Sequence, residues 1–170
     1  MDPTSTLDEM KRGRPTPRQA AGDQGRGCTP DAARKAIVFP DGLIGCPEWR
    51  RFVLLPGPPG SPAMRLQCLS HPSVCFVVAD PRRIQPDYQL TVSREEMHDL
   101  GLDDSETMIL CTLTVRDDPP TVTANLLAPL VVNPRSGLGK QIVLADSGYS
   151  ARHPLGAARG PDERPAGAGG

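Results

Sequence analysis

Thr121-Val122-Thr123-Ala124-Asn125-Leu126-Leu127-Ala128-Pro129-Leu130-Val131-Val132-Asn133-Pro134-Arg135 joins two β-type runs through a proline, with no polar loop between them. In an extended chain Val122, Ala124 and Leu126 fall on one side and Thr123, Asn125 and Leu127 on the other. That period-two pattern belongs to a half-buried strand. Leu130-Val131-Val132 is too uniformly apolar to face water on either side. Because proline cannot donate to a ladder, Pro129 marks a bulge, a strand start or an edge, and Asn133-Pro134-Arg135-Ser136-Gly137 reads as a turn. Asn125 is the odd member, a polar amide between two apolar halves. It either bonds backbone across the bend or belongs to a recognition surface, and the first reading is preferred because isolated polar groups among apolar strands are usually satisfied internally.

Outward from this stretch, the chain alternates short apolar runs with turn residues. Ala36-Ile37-Val38-Phe39 predicts a strand closed by Pro40-Asp41-Gly42. Arg50 to Leu55 predicts another, stopped by Pro56-Gly57-Pro58-Pro59-Gly60, and Met64, Leu66 and Cys68 alternate as a strand with one wet face. Val74 to Ala79 is apolar on both faces and is expected to be the central strand, with Val77 in the core. Tyr88, Leu90 and Val92 alternate as a further strand. Ser93 and Glu96 then have capping-box spacing, and Met97, Leu100 and Gly101 complete the one short helix expected. Met108 to Val115 and Gly139 to Leu144 are the remaining strands. Seven to nine short strands with one helix predict a mostly β protein, its mostly antiparallel sheet curled into a barrel or sandwich, with a small antiparallel β-barrel-like domain as the preferred reading.

After Met1, residues 2–33 hold only Leu7 and Met10 as large hydrophobes, and 156–170 hold none. Such segments cannot bury enough apolar surface to offset chain entropy. The expected organisation is a disordered N-terminal extension over 1–35, one β domain over 36–155, and a disordered tail over 156–170. A net charge of −1 argues against a nucleic-acid protein. Glu95, Glu96, Asp99, Asp103, Asp104 and Glu106 form an acidic segment opposed only by Arg94. It suits a basic partner or serves as a solvated face. No apolar run is long enough to span a bilayer and no signal-type hydrophobic region opens the chain, which predicts a cytoplasmic protein. Five cysteines, three of them (Cys68, Cys75 and Cys111) within apolar runs, read as small hydrophobes rather than a disulfide framework.

No catalytic, cofactor or metal site is legible. Cys68, His71 and Cys75 have zinc-type residue identities but lack a fourth ligand. Ser136-Gly137-Leu138-Gly139-Lys140-Gln141 fails the phosphate-loop pattern at Pro134 and Gln141. Asp146, Ser147 and His153 have triad identities without a nucleophile elbow. A hydrogen-bonded turn over Asp146 to Ser150 is the better reading, and a small β-barrel hydrolase or ligand-binding module using these three is the alternative function.

Several blocks in fixed order resemble the flagellar assembly factor FliW family across the folded segment. They are Phe39-Pro40-Asp41-Gly42-Leu43-Ile44-Gly45, Arg50 to Leu54, Leu66 to Leu69, Phe76 to Pro81, Pro86-Asp87-Tyr88, Asn125 to Pro129 with Asn133-Pro134-Arg135, and Gln141 to Leu144 through Tyr149 to Leu155. The resemblance implies a non-enzymatic, β-barrel-like protein without cofactors that binds flagellin and the translational regulator CsrA. Export of flagellin then frees the protein, and the free protein antagonises CsrA, relieving repression of flagellin synthesis. The resemblance-bearing residues Asp80, Tyr88, Asn125, Leu127, Asn133 and Arg135 are the partner-binding candidates, with neither nucleic acid nor membrane as a direct partner. Cys46 and Pro47 depart from the family, which usually has an aromatic and an acid there.

Overall fold

The computed structural model describes residues 35–102, 107–117 and 119–155. The disorder expected of the two ends, up to residue 34 and from 156, and the acidic residues Asp103, Asp104 and Glu106 lie outside the described residues.

Among the described residues nine strands form one sheet: β1 (Ala36–Val38), β2 (Arg51–Pro56), β3 (Met64–Cys68), β4 (Cys75–Ala79), β5 (Met108–Asp117), β6 (Pro120–Ala124), β7 (Leu130–Val132), β8 (Gly139–Gln141) and β9 (His153–Pro154). Neighbours β1 to β6 pair antiparallel in chain order, and β9 adds to β6. The first half of β5 instead pairs with β7, which pairs with β8. A parallel bridge from Val38 to Leu138, with the Val38 N–H donating to the Gly137 carbonyl at 2.8 Å, brings β8 back to β1. The expected antiparallel barrel is therefore present, closed at this one seam.

The opening stretch is a bulged strand running beside β5. Asn125 N–H donates to the Thr112 carbonyl at 2.9 Å, and Leu130 pairs with Leu110, so Leu126, Leu127, Ala128 and Pro129 stand opposite Cys111 alone. Extra residues on one strand bend it and re-aim its side chains. Here the bend carries the chain from the β5–β6 ladder to the β7–β8 ladder, and Pro129 sits where β7 begins. All of β7 is buried. Leu130 and Val132 join one apolar cluster with Ile37, Phe39, Phe52, Leu66, Val78 and Leu110, whereas Val131 joins a second with Tyr88, Leu100, Cys111, Leu126, Ile142 and Leu144. This three-residue strand is thus the wall between two cores.

The one α-helix among the described residues, α1 (Arg94–Asp99), begins at Ser93 with both arms of the capping box formed, and Gly101 follows its end at φ 59°. A 3-10 turn over Pro81–Arg83, capped by Asp80, was not expected from sequence.

Three expectations need correction. Val77 is only half-buried, while Val78 has no exposed surface. In the register Val77 stands opposite Arg65 and Leu113, outside the first core, and Val78 points into it. An unbroken apolar run carries no phase, so it could not say which neighbour faced inward. Residues 88–92 are not a strand. Tyr88, Leu90 and Val92 keep their alternation because they pack on the second core, yet no ladder forms beside them. The strand from Gly139 ends at Gln141, although Ile142 and Leu144 still donate to Pro129 and Leu127. The further strand β9 lies where triad residue types had drawn attention.

Cys46 and Pro47 fit their loop. Leu43 and Cys46 exchange backbone hydrogen bonds, Cys46 is buried, and Pro47 lies so close to Gly42 that a β-carbon there would sit 2.5 Å from the Pro47 carbonyl oxygen.

Candidate partner-binding surface

Four of the six candidate residues gather around the bulge. Asp80 leaves β4 next to Ala79, the partner of Cys111 in the ladder. Its carboxylate accepts from the Arg82 amide at 2.9 Å and the Arg82 guanidinium at 3.1 Å. Tyr88 is buried; its hydroxyl donates to the Leu126 carbonyl at 2.8 Å, and its ring stacks on Tyr149 at 4.5 Å between centroids. Burial, then the neighbouring Tyr149 and Cys111, push the Tyr88 phenol well above its ordinary value of about 10. Asn125 is half-buried and its side-chain oxygen accepts from the Ala128 amide at 3.0 Å, which satisfies backbone inside the bulge. Leu127 is buried in the same segment. Burial likewise raises the Cys111 thiol to about 11.

The other two lie at the far end of β7. Asn133 is buried, and its amide donates to the carbonyls of Leu100 at 3.0 Å and Gly101 at 2.9 Å. Its side-chain oxygen accepts from the amides of Arg135 and Ser136. One side chain therefore ties the β7–β8 turn to the end of α1, using carbonyls a helix leaves unpaired. Arg135 is exposed at the tip of that turn. Lys140 and Asp99 pair at 3.4 Å, and of the acidic residues of α1 Glu95 and Asp99 face solvent while Glu96 is half-buried in the capping box.

Sequence reasoning missed Gln141 and Tyr149. The Gln141 amide donates to the Ala128 carbonyl at 3.1 Å and its oxygen accepts from Ile44 N–H at 2.8 Å, linking bulge, β8 and the 41–47 loop. The Tyr149 hydroxyl accepts from the Gln89 amide at 2.8 Å. Both residues stood within the blocks of resemblance, and Gln141 showed the same signal as Asn125, a polar amide within an apolar strand.

Ser147 donates to the Leu144 carbonyl at 2.6 Å and accepts from the Tyr149 amide, so it is a turn residue as expected. Among the described residues no hydrogen bond joins Asp146, Ser147 and His153, and His153 lies in β9 opposite Ala124. Cys68 points into the first core, whereas Cys75 stands beside Gln67 in the ladder and is half-buried. No three His, Cys, Asp or Glu side chains converge among the described residues. No described helix is long and apolar enough to cross a membrane.

The architecture defines a small bulged β-barrel in which the side-chain amides of Asn125, Asn133 and Gln141 brace the bulge and its neighbouring loops. The family model described as FliW protein matches residues 24–155. The flagellar assembly factor FliW of Natranaerobius thermophilus is 39% identical, over 71% of this chain and 82% of that relative. The factor of the same name from Geobacter sulfurreducens is 38% identical, over 71% and 76%. A crystal structure of the flagellar assembly factor FliW superposes with a TM-score of 0.64 at 31% identity, covering 71% of this chain and 84% of that one. This chain belongs to the FliW family.

Proposed function

We propose that this chain is a cytoplasmic flagellar assembly factor that works by protein binding, without catalysis or cofactor. Its partners are flagellin and a CsrA-like translational regulator. Bound to flagellin it is withheld from the regulator; as flagellin is exported, the freed protein antagonises the regulator and restores flagellin synthesis. The observation that carries this reading is the family match across residues 24–155 together with the same fold in a FliW crystal structure. The acidic face of α1 supports a basic regulator as one partner, since opposite charge speeds encounter.

The contact surface proposed is the bulge and the β7–β8 turn. Asp80 and Arg135 supply charge there, while Tyr88, Asn125, Leu127 and Asn133 hold the backbone that presents it. Affinity purification of the tagged full chain from cells making both partners tests the function. Recovery of flagellin and of the regulator in separate complexes supports it, and retention of neither overturns it.

A further inference from the structure

The barrel closes at β1 and β8 through the Val38–Leu138 bridge, and the reason it closes no further is chemical. Phe39 N–H donates to Arg50 in the β2 direction, so the β1 groups that face β8 belong to residues 36, 38 and 40. Val38 N–H reaches the Gly137 carbonyl, and the next donor along that edge belongs to Pro40, which has no N–H. The chain then turns away through Asp41 and Gly42.

On the other side of the seam, Asn133, Pro129 and Leu127 bond to Leu138, Ile142 and Leu144. By this parity the N–H and C=O groups of Gln141 and Val143 point away from β7, toward the open side. Among the described residues no strand pairs with that side beyond the Val38 bridge. A cleft of about 280 Å³ separates it from the 41–47 loop, lined in part by Asp41, Ile44, Lys140 and Gln141. The cleft falls just below the ~300–1,000 Å³ of ordinary small-molecule pockets, and its wall is a strand edge.

We propose that this edge of β8 accepts an extended segment of a partner protein as an added strand, with an apolar side chain against Ile44 and a basic one toward Asp41. Strand addition takes its affinity from main-chain hydrogen bonds and its specificity from the flanking side chains. Lys140 is already neutralised by Asp99, while Asp41 has no ion-pair partner among the described residues, so the cleft retains one negative charge. Ile44 is one of the exposed large hydrophobic residues and its amide bonds the Gln141 side chain, which sets an apolar surface beside the unpaired edge. An open edge of this kind is otherwise a liability that proteins cover or blunt. The inference rests on the reading of this chain as a protein-binding factor, but not on which partner supplies the segment.

Amide hydrogen exchange on the full chain tests it, alone and with flagellin or the CsrA-like regulator of the same organism. In one of the two complexes the amides of Gln141 and Val143 should slow by about tenfold or more, while Lys140 and Ile142, bonded to the neighbouring strand, are slow throughout. D41N should weaken that complex by about two- to fivefold, the scale of a surface ion pair. Complexes that form and leave both amides unchanged overturn the edge proposal and spare the functional reading. If neither partner binds, the functional reading fails, and a blocked Val-Lys-Val-Lys-Val-Lys peptide decides the edge: slowing of the same two amides upholds it, and no slowing overturns it.

Discussion

The ring of Tyr88 stacks on that of Tyr149 at 4.5 Å, and the two hydroxyls run to different segments, Tyr88 to the Leu126 carbonyl and Tyr149 from the Gln89 amide. This pair fastens the 84–92 stretch and the 145–150 turn to the bulge, doing for unladdered chain what strand pairing does elsewhere.

Tyr88→Phe keeps the stack and removes one buried hydrogen bond, so it should lower stability by about 1–3 kcal/mol, the usual cost of an orphaned buried group. The pH response has a definite sign. A folded-state phenol raised above its unfolded value holds its proton longer than the unfolded chain does, so its stabilising effect is complete below about pH 10 and is lost as pH rises beyond it. Urea melts at pH 8 and above pH 10 should show a steeper alkaline loss in the wild type than in Tyr88→Phe; equal slopes would exclude Tyr88 as the cause.

Val78 and Val77 offer a test of register. Val78→Asp places a charge in the first core and should leave no soluble, cooperatively folded protein. Val77→Asp, on the half-buried outer side, should fold with a lowered melting temperature. The reverse order of severity, measured by circular dichroism, would contradict the strand phase described for β4.

Gly139 lies beneath Phe39, and a β-carbon there would stand 2.6 Å from the ring. Gly139→Ala should therefore destabilise by about 1–3 kcal/mol through overpacking beside the seam. A melt indistinguishable from wild type would mean that Phe39 moves aside at no cost.

Asn133→Ala removes four hydrogen bonds, two that tie the β7–β8 turn to the end of α1 and two within the turn, and Asn125→Ala removes the one inside the bulge. The expected losses are about 2–4 kcal/mol for Asn133, which orphans several buried groups, and about 1–2 for the half-buried Asn125. Partner affinity per folded molecule should stay within about threefold of wild type for Asn125→Ala, because loss of folded protein alone weakens binding. A wild-type melt with much weaker flagellin or regulator binding would make Asn125 a contact residue instead.

Much of the fold was legible because its signals are local. Period-two alternation, the prolines and glycines at turns, and the Ser93–Glu96 capping box each act over a few residues, and apart from Tyr88 to Val92 the strands and helix they predicted are present with shifted ends. The misleading stretches were those where local pattern is degenerate. Val74 to Ala79 could not reveal its phase, and Tyr88 to Val92 looks the same whether a neighbouring strand exists or not.

The sequence by itself determined a β-rich domain, a bend at Pro129, and two apolar faces on β7 that must both be covered. Only the tertiary structure decided that Leu126 to Pro129 would oppose Cys111 alone, that Asn133 would reach the end of α1, and that among the described residues the seam would remain unpaired beyond Val38. The reason is physical: alternation dictates which side of a strand is apolar, but pairing and register depend on contacts between residues distant in sequence. Pro40 joins the two levels. Its missing N–H is written in the sequence, yet it bears on closure only once folding has brought β8 alongside β1.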